Sequence, residues 1–252
     1  DLHRVDRRQR QMCIRDRSKG KQTLEVGMNS FEHKLDPNTT EKALMALIDQ
    51  LNSDPAVHGI LVQLPLSSHL DETLVINRIL PGKDVDGFHP ENVGWLSIGK
   101  PRFIPCTPKG IMRIFSHYNI DLTGKDIVVI GRSNIVGRPM SILVSSNNAN
   151  GTCSLCHSRT KNINDYTRNA DIIISAIGVP NFLTSEIIKE DSIIIDVGIN
   201  KVDSNNGKGY KIVGDADYDS VFDKASKITP VPGGVGPMTI AMLVENTIEA
   251  AE

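Results

Sequence analysis

Short apolar runs alternate with amphipathic stretches along the second half of the chain. The runs are rich in isoleucine and valine, as is typical of buried parallel strands. They predict strands over Asp126–Ile130, Thr152–His157, Asp171–Ala176 and Ser192–Val197, with a helix over Val136–Ser146 between the first two. Strands that alternate with helices form the doubly wound pattern, so we expect a Rossmann-type sheet.

In the first half of the chain, more of the apolar residues recur at the spacing of an α-helix. Apolar residues on one face predict helices over Thr40–Leu51, Leu70–Leu80 and Pro108–Tyr118, and near the end of the chain over Met238–Ala251. A helix over Lys19–Val26 is expected to end at Gly27. The apolar run His58–Gln63 predicts a buried parallel strand. Pro81–Pro105 is rich in Gly, Pro and Asp, and we expect an irregular, functional loop there.

Composition and charge exclude several classes of protein. Of the 252 residues, 39% are hydrophobic and 23% are charged, and the formal net charge is −2, which gives no general attraction to nucleic acid or to anionic membranes. No apolar run approaches the roughly 20 residues that a membrane span needs. Four cysteines are too few for a disulfide scaffold in a chain of this length, so a reducing, cytoplasmic compartment is expected.

Residues 1–17 differ from the rest of the chain. They contain six arginines and almost no apolar periodicity. A transit peptide is disfavoured because the segment has three aspartates and no serine. A basic tail and a segment foreign to the gene both remain open, and we expect a non-native or disordered segment here.

The strongest local motif is the stretch GRSNIVGRP over residues 131–139, which follows a predicted strand and opens a predicted helix. Gly131 ends the strand, and Gly137 allows the helix to approach the sheet closely. Backbone amides at the start of such a helix can face a pyrophosphate. Ser133 stands where the full glycine pattern has its second glycine, so a plain strand–helix turn remains the alternative.

The end of the second predicted strand indicates which dinucleotide is bound. Enzymes that use NAD usually have an acidic residue there for the ribose 2′-hydroxyl. This chain has His157, Ser158, Arg159 and Thr160 instead, and Arg132 at the first turn adds another cation. Hydroxyls and cations without an acid suit a 2′-phosphate, and we therefore expect NADP.

Cys153, Cys156 and His157 match the attachment pattern of a c-type haem. Such attachment requires export, and the sequence has no recognisable signal peptide. Strand alternation would instead turn Cys153, Leu155 and His157 to one face of the sheet and Cys156 to the other, with the cysteines buried. No histidine pair has metal-ligand spacing, so no metal site is expected.

Polar residues also occur at places where α/β proteins bind ligands. Gln63 ends a predicted buried strand, where an unpaired amide would be costly. Asp84 and Asp86 lie in the long loop and suit a turn by themselves. The stretch from Pro230 to Pro237 is stiffened by prolines, and its glycines allow a ligand close to the backbone.

Together these segments are very similar to the bifunctional methylenetetrahydrofolate dehydrogenase/cyclohydrolase family. The resemblance extends from about residue 18 to the C-terminus in unbroken order. The matching stretches are GILVQLPL at 59–66, KDVDGFHPENVG at 83–94, PCTPKG at 105–110, GRSNIVGRPM at 131–140, CHSRT at 156–160, DVGIN at 196–200 and ITPVPGGVGPMT at 228–239.

The resemblance implies an α/β fold with two domains, followed by a C-terminal helix. Residues 18–120 would form a small folate-binding catalytic domain, and residues 121–236 a Rossmann-type, doubly wound NADP-binding domain. Residues 237–252 would form a helix that packs back on the catalytic domain. The implied protein is a cytoplasmic homodimer.

The resemblance further implies two reactions, and it assigns their residues. NADP would accept a hydride from 5,10-methylenetetrahydrofolate, and water would convert the 5,10-methenyl product into 10-formyltetrahydrofolate. The implied catalytic residues are Lys19, Gln63 and Asp86. The implied substrate-binding residues are Val62, Gln63, Leu64, Asp86, Pro232, Gly233 and Gly234. The implied cofactor-binding residues are Gly131, Arg132, Ser133, Val136, Gly137, Ser158, Arg159 and Ile199.

The chain departs from the family pattern near its beginning. Arg15 stands where the family has a tyrosine, and the family's first helix and first strand have no counterpart before it. The chain is therefore expected to be N-terminally truncated. Two alternatives to the bifunctional enzyme stay open at this point: an NADP-binding fragment with an inactive folate cleft, and a non-catalytic scaffold.

Overall fold

The computed structural model describes residue 20, residues 22–204, residue 207 and residues 209–252. The expectations for residues 1–17 and for Lys19 lie outside the described residues. Residues 22–25 are helical and end as predicted at Gly27, which has a φ of 82°. The Met28 N–H donates to the Thr23 carbonyl at 3.1 Å and the Gly27 N–H to the Leu24 carbonyl at 3.0 Å. This is a Schellman C-cap, for which glycine is favoured.

The first part of the chain is mainly helical. Its helices are α1 (Glu41–Ser53), α2 (Glu72–Arg78) and α3 (Pro90–Ser97). The Thr40 and Asp71 side chains cap the first two by accepting hydrogen bonds from backbone N–H groups of the first turn. The helices predicted over Thr40–Leu51 and Leu70–Leu80 are thus confirmed, with shifted ends. Apolar residues of α1 and α2 pack around the buried Ile60.

Two predictions for this part were wrong. The stretch Pro81–Pro105 is not irregular throughout, because it contains α3. The strand predicted over His58–Gln63 is reduced to a single parallel bridge between Ile60 and Asp84. The partner segment cannot extend the ladder, because it turns on both sides of Asp84: the Lys83 N–H bonds to the Leu80 carbonyl, and the Gly87 N–H to the Asp84 carbonyl.

The second part of the chain has a five-stranded parallel sheet. Its strands are β1 (Asp126–Ile130), β2 (Thr152–Cys156), β3 (Ile172–Ser175), β4 (Ile193–Asp196) and β7 (Lys227–Ile228), and their spatial order is β2-β1-β3-β4-β7. The strands β5 (Asn200–Asp203) and β6 (Tyr210–Val213) form a separate antiparallel pair. The predicted Rossmann-type sheet is confirmed, whereas sequence patterning did not predict β5, β6 or β7.

Helices cover the parallel sheet and complete its core. They are α4 (Cys106–His117), α5 (Gly137–Val144), α6 (Ile163–Thr167), α7 (Tyr218–Val221) and α8 (Val235–Glu249), with a short 3₁₀ turn at Ser185–Ile187. Alternate residues of β1 point to opposite faces, as the strand period requires. Ile127 and Val129 therefore join one apolar cluster, and Val128 and Ile130 join another. Among the described residues, no helix is both long and apolar enough to cross a membrane.

The C-terminal helix α8 connects the two parts of the chain. Its Asn246 is fully buried, and its amide donates to the carbonyls of Val85 at 2.8 Å and Ile104 at 3.0 Å. The Lys109 ammonium on α4 donates to the Asn246 side chain and to the Glu249 carboxylate, both at 2.8 Å. These bonds satisfy a buried amide that would otherwise be costly, and they hold α8 against α4 and the loop around Val85.

Candidate active site

The strand order creates a switch point at the carboxyl ends of the parallel strands, and the space outside it is called the crevice below. The chain leaves β1 toward β2 on one side, whereas β3 lies on the other side of β1. Outside the carboxyl ends of β1 and β3 the two connections therefore diverge. In open α/β sheets this divergence is where ligands bind. Two predicted segments begin at these strand ends. The motif at 131–139 follows β1, and the predicted 2′-phosphate residues at 157–160 follow β2.

The turn between β1 and α5 depends on two glycines. Gly131 has a φ of 112°, and a Cβ there would collide with the Ala176 carbonyl oxygen of the neighbouring connection. A Cβ on Gly137 would collide with the carbonyl oxygen of Gly131. Any other residue at 137 would therefore push the start of α5 away from the end of β1. The close approach that the sequence predicted for Gly137 is confirmed, and it places the first turn of α5 beside the crevice.

Ser133 occupies the position that a second glycine would have. The backbone N–H groups of Val136 and Gly137 donate to its Oγ, at 3.1 and 3.5 Å. The hydroxyl thereby satisfies two of the N–H groups that the start of a helix leaves without an internal partner. Arg132 and Ser133 are exposed, and Val136 is buried. The turn thus presents one cation and one hydroxyl to solvent at the edge of the crevice.

The connection after β2 forms a compact turn. The Thr160 Oγ1 accepts from the His157 N–H at 2.9 Å, and the His157 ring accepts from the Arg159 N–H at 3.1 Å. The side chains of Ser158 and Arg159 are left exposed. Together with Arg132 they provide two cations and a hydroxyl at adjacent strand ends. Their assignment to a 2′-phosphate stays a prediction.

The cysteines of β2 lie on opposite faces of the sheet, as strand alternation predicts. Cys153 packs with one apolar cluster, and the buried Cys156 packs with the other. Burial, together with the neighbouring Cys156, raises the pKa of the Cys153 thiol to about 11. The Cys153 thiol is therefore protonated and unreactive near neutral pH, and burial raises the pKa of the Cys156 thiol as well. Among the described residues, no group of three or more His, Cys, Asp or Glu side chains could hold a metal ion.

Two buried carboxylates behind the crevice were missed by sequence reasoning. Asp196 ends β4 and is 3% exposed, and Asp215 follows β6 and is 0% exposed. Burial raises the pKa of Asp196 to about 6, partly opposed by the backbone N–H groups that donate to it. The available signal was the acid that ends the apolar run of β4, since a carboxylate directly after a buried strand is costly without partners.

The predicted folate residues lie around the bridge between Ile60 and Asp84. This bridge is parallel, so Gln63 and Asp86 follow it at the same end of the two segments. Both are half-buried, as are Val62 and Leu64. Gln63 donates from its amide to the Leu64 carbonyl at 3.1 Å.

Asp84 and Asp86 have different environments, although only Val85 stands between them in the sequence. The Asp84 carboxylate is 2% exposed and accepts from the His89 N–H at 2.7 Å and the Asn92 amide at 2.8 Å. The turn-forming interpretation is therefore confirmed for Asp84, which holds the start of α3. Asp86 is more accessible, and its assignment to the substrate stays a prediction.

The loop that precedes α8 starts at the same edge of the sheet as the crevice. It follows β7, and the Thr229 N–H donates to the Ile194 carbonyl of β4 at 3.0 Å. Pro232 and Gly233 are exposed, and Gly234 is half-buried. Gly233 has a φ of 108°, a conformation that glycine adopts without strain.

Comparison with known proteins assigns both parts of the chain to one family. The pattern described as "Tetrahydrofolate dehydrogenase/cyclohydrolase, catalytic domain" matches residues 10–86, and the pattern of the same family described as "NAD(P)-binding domain" matches residues 105–252. The chain belongs to the tetrahydrofolate dehydrogenase/cyclohydrolase family. Because the catalytic-domain pattern matches as well, the interpretation of the chain as an NADP-binding fragment alone is not favoured.

Individual relatives agree with this assignment. The "Bifunctional protein FolD 1/3" of Ruegeria pomeroyi is 56% identical over 234 residues, which cover 93% of this chain and 78% of that protein. The crystal structure of the bifunctional enzyme FolD from Campylobacter jejuni is 53% identical, has a TM-score of 0.88, and is matched over 93% of this chain and 81% of that one. The FolD of Trypanosoma brucei, solved with NADP cofactor and an inhibitor, is 38% identical with a TM-score of 0.90, over 94% of this chain and 81% of that one.

The predicted site residues fall into two groups in the structure. The cofactor group lies at the carboxyl ends of β1, β2 and β4, and the substrate group lies in the loops at 62–64, 86 and 232–234. Lys19, the predicted catalytic lysine, lies outside the described residues. The parallel bridge brings the segments at 62–64 and 86 together, and the parallel pairing of β1 with β2 places their carboxyl ends side by side. The roles of the single residues stay predictions.

Proposed function

We propose that this chain oxidises 5,10-methylenetetrahydrofolate to 5,10-methenyltetrahydrofolate with NADP, and then hydrolyses the product to 10-formyltetrahydrofolate. The observation that carries the proposal is the turn from Gly131 to Gly137, which opens onto the crevice of a parallel sheet. This turn belongs to a chain that matches both domains of a dehydrogenase/cyclohydrolase family.

We place NADP in the crevice. The start of α5 would face the pyrophosphate, with Gly131, Val136 and Gly137 allowing a close approach. Arg132, Ser133, Ser158 and Arg159 would hold the 2′-phosphate through charge-assisted hydrogen bonds, and Ile199 would lie beside the nicotinamide. These cofactor assignments are our proposals. When bound, NADP supplies the acceptor for the hydride.

The folate substrate would lie across the ends of the two parallel segments at 62–64 and 86. Asp86 would bind the pterin ring, and Gln63 would orient Lys19. Val62, Leu64, Pro232, Gly233 and Gly234 would enclose the ring. Lys19 would accept and return protons when water adds to the methenyl carbon, a role that a lysine can fill when burial lowers its pKa. We also propose that residues 18–120 and 121–236 form the two domains and that residues 237–252 pack back on the first.

The homodimer and the cytoplasmic location are proposals that rest on the resemblance and on the cysteine usage. The dimer is tested by light scattering on the purified chain. A mass of twice the chain mass of 27.6 kDa is expected, and a monomer at micromolar concentration would contradict it.

The activity is tested on the purified chain with each folate substrate separately. With 5,10-methylenetetrahydrofolate, absorbance should show reduction of NADP at least about tenfold more efficiently than of NAD, because a 2′-phosphate gains hydrogen bonds that NAD lacks. With 5,10-methenyltetrahydrofolate, loss of the substrate absorbance reports the hydrolysis. No cofactor reduction, or equal use of NAD and NADP, would contradict the proposal.

A Lys19→Met variant separates the proton-transfer role from cofactor binding. It should lower the rate of hydrolysis about 10²- to 10⁴-fold, the usual contribution of general acid–base catalysis. Its NADP affinity, measured by calorimetry, should stay near that of the parent chain. A variant that keeps more than about half of the hydrolysis rate would remove Lys19 from the mechanism.

A further inference from the structure

Two buried carboxylates lie directly behind the crevice, and backbone donors surround them. Asp196 accepts from the N–H groups of Gly198 at 2.9 Å, Asp215 at 2.9 Å and Ala216 at 2.8 Å. Its own N–H donates to the Thr229 hydroxyl at 2.8 Å. Asp196 therefore ties the end of β4 to the segment after β6 and to the loop that precedes α8.

Asp215 binds a different set of donors. Its carboxylate accepts from the N–H groups of Ile177 at 2.8 Å, Gly178 at 3.3 Å and Val179 at 3.0 Å. The Ser175 hydroxyl and the Asn200 amide also donate to it, each at 3.0 Å. Asp215 therefore holds the start of the connection after β3, which lies beside the crevice.

Burying two carboxylates in this way lowers the stability of the fold more than an ordinary turn would. Buried acids are usually paired with a cation, yet among the described residues neither Asp196 nor Asp215 takes part in an ion pair. The surroundings are also tight, because a Cβ on Gly198 would collide with the Asp215 carboxylate, and one on Gly214 with the Asp196 carboxylate. The two carboxylates therefore fix the positions of the backbone segments that donate to them.

The segment that both acids define is the one that carries Ile199. The preceding residue, Gly198, donates to Asp196, and the following residue, Asn200, donates to Asp215. The Ile199 side chain itself is 43% exposed at the edge of the sheet. An exposed apolar side chain thus lies between two anchored neighbours.

We propose that Asp196 and Asp215 are positioning residues for hydride transfer, which fix Ile199 and the connection after β3 against the nicotinamide end of the cofactor. This inference rests on the proposed function. The two acids act through the backbone that they hold, and they do not touch the reacting atoms. Hydrolysis of the methenyl product does not use the nicotinamide, so the pair should influence the two reactions unequally.

The test compares Asp215→Asn and Asp196→Asn with the parent chain in both reactions. Asparagine keeps the shape but replaces one acceptor oxygen with a donor. We expect kcat for NADP reduction to fall about 10- to 100-fold, since misplacement by about 1 Å can have this effect, with a smaller change in KM. Hydrolysis of 5,10-methenyltetrahydrofolate should stay within about twofold. Asp171→Asn, an acid at the opposite end of the sheet, is the matched control and should leave both rates unchanged.

A double-mutant cycle tests whether the pair acts through Ile199. If it does, Ile199→Ala should lower kcat for hydride transfer much less in the Asp215→Asn background than in the parent chain. If Asp215→Asn does not fold, Ser175→Ala takes its place, because it removes only one donor to Asp215. We then expect kcat for NADP reduction to fall about two- to fivefold, because about one hydrogen bond is lost, and hydrolysis to stay unchanged.

Several outcomes would overturn the inference. They are strictly additive effects in the cycle, parallel loss of both reactions together with Tm, and a Ser175→Ala variant that loses neither reaction. A parent chain that hydrolyses the methenyl substrate but does not reduce NADP would instead remove the proposed dehydrogenase function, and the inference with it. If the parent chain is active in both reactions and the substitutions change neither rate, only the inference is removed and the proposed function stands.

Discussion

The two ends of the parallel sheet use aspartate in opposite ways. At the amino end, Asp171 precedes β3, pairs with the Lys189 ammonium at 2.6 Å and accepts from the Asp126 N–H at 2.9 Å. At the carboxyl end, Asp196 ends β4 without an ion pair among the described residues, and backbone N–H groups surround it. The Lys189 hydrogen bond lowers the pKa of Asp171, whereas burial raises the pKa of Asp196 to about 6.

The aspartate at the amino end contributes to the stability of the fold, whereas the aspartate at the carboxyl end positions the backbone around the crevice. A partly exposed ion pair joins the amino ends of adjacent strands, so its loss should be tolerated. The carboxyl end buries charge and crowds glycines against carbonyl oxygens, which lowers stability in return for a defined crevice. Strain and buried polar groups of this kind concentrate at functional sites.

The largest effect is expected from Gly137→Ala at the carboxyl end. A Cβ there collides with the Gly131 carbonyl oxygen, so α5 must move away from the end of β1. Overpacking of this kind costs about 3 kcal/mol, and NADP affinity should fall about 100-fold if the crevice loses a similar amount. Urea unfolding and calorimetric titration with NADP measure the two effects.

Gly94→Ala in α3 is the matched control, since a Cβ there meets nothing within 4 Å. It should leave NADP affinity unchanged and stabilise the chain by up to about 1 kcal/mol. If both alanine variants behave alike, Gly137 is an ordinary helical glycine, and the contrast between the two ends loses its main support.

The second prediction concerns pH. Because folding raises the pKa of Asp196 from 3.8 to about 6, its contribution to stability is present below about pH 4 and is lost as the pH rises through about 6. A shift of this size corresponds to at most roughly 3 kcal/mol. The free energy of unfolding of the parent, relative to that of Asp196→Asn, should therefore decrease over this window, as urea titrations at several pH values can measure. A difference that stays constant with pH would mean that Asp196 is not destabilised by burial.

Asp171 should show the opposite sign in the same measurement. Its pKa is lowered on folding, so its contribution is present above the unfolded value of 3.8 and is lost as the pH falls. The parent should therefore lose stability relative to Asp171→Asn only on the acidic side of that value. The same direction for both variants would refute the contrast between the two ends.

The smallest effect is expected from Lys189→Met at the amino end. The side chains of Lys189 and Asp171 are 46% and 26% exposed, and ion pairs of this kind contribute about 0–1 kcal/mol. NADP affinity and both reaction rates should not change. A loss above about 2 kcal/mol in urea unfolding would show that the amino end is as critical as the carboxyl end.

Local patterns predicted most of the elements but not all of them. The strands β1 to β4 were found because buried parallel strands are continuous apolar runs, and α5 because glycines punctuate its start. The helix α3 was missed although its signals are present: Pro90 stands at its first position, and the His89 ring accepts from the Glu91 N–H. The antiparallel pair β5–β6 was missed because its residues are polar and half exposed, and pairing decides such strands.

By itself the sequence determined the fold class, the two glycines of the cofactor turn, the cations at the ends of β1 and β2, and the family. These properties depend on residue types within a few positions of one another, where backbone sterics and periodicity act directly. Only the tertiary structure decided that His58–Gln63 forms a single bridge, that Asp84 holds the start of α3, and that Asp196 and Asp215 share one network. Those outcomes depend on which distant segments supply hydrogen-bond partners and exclude water, and no local pattern encodes that choice.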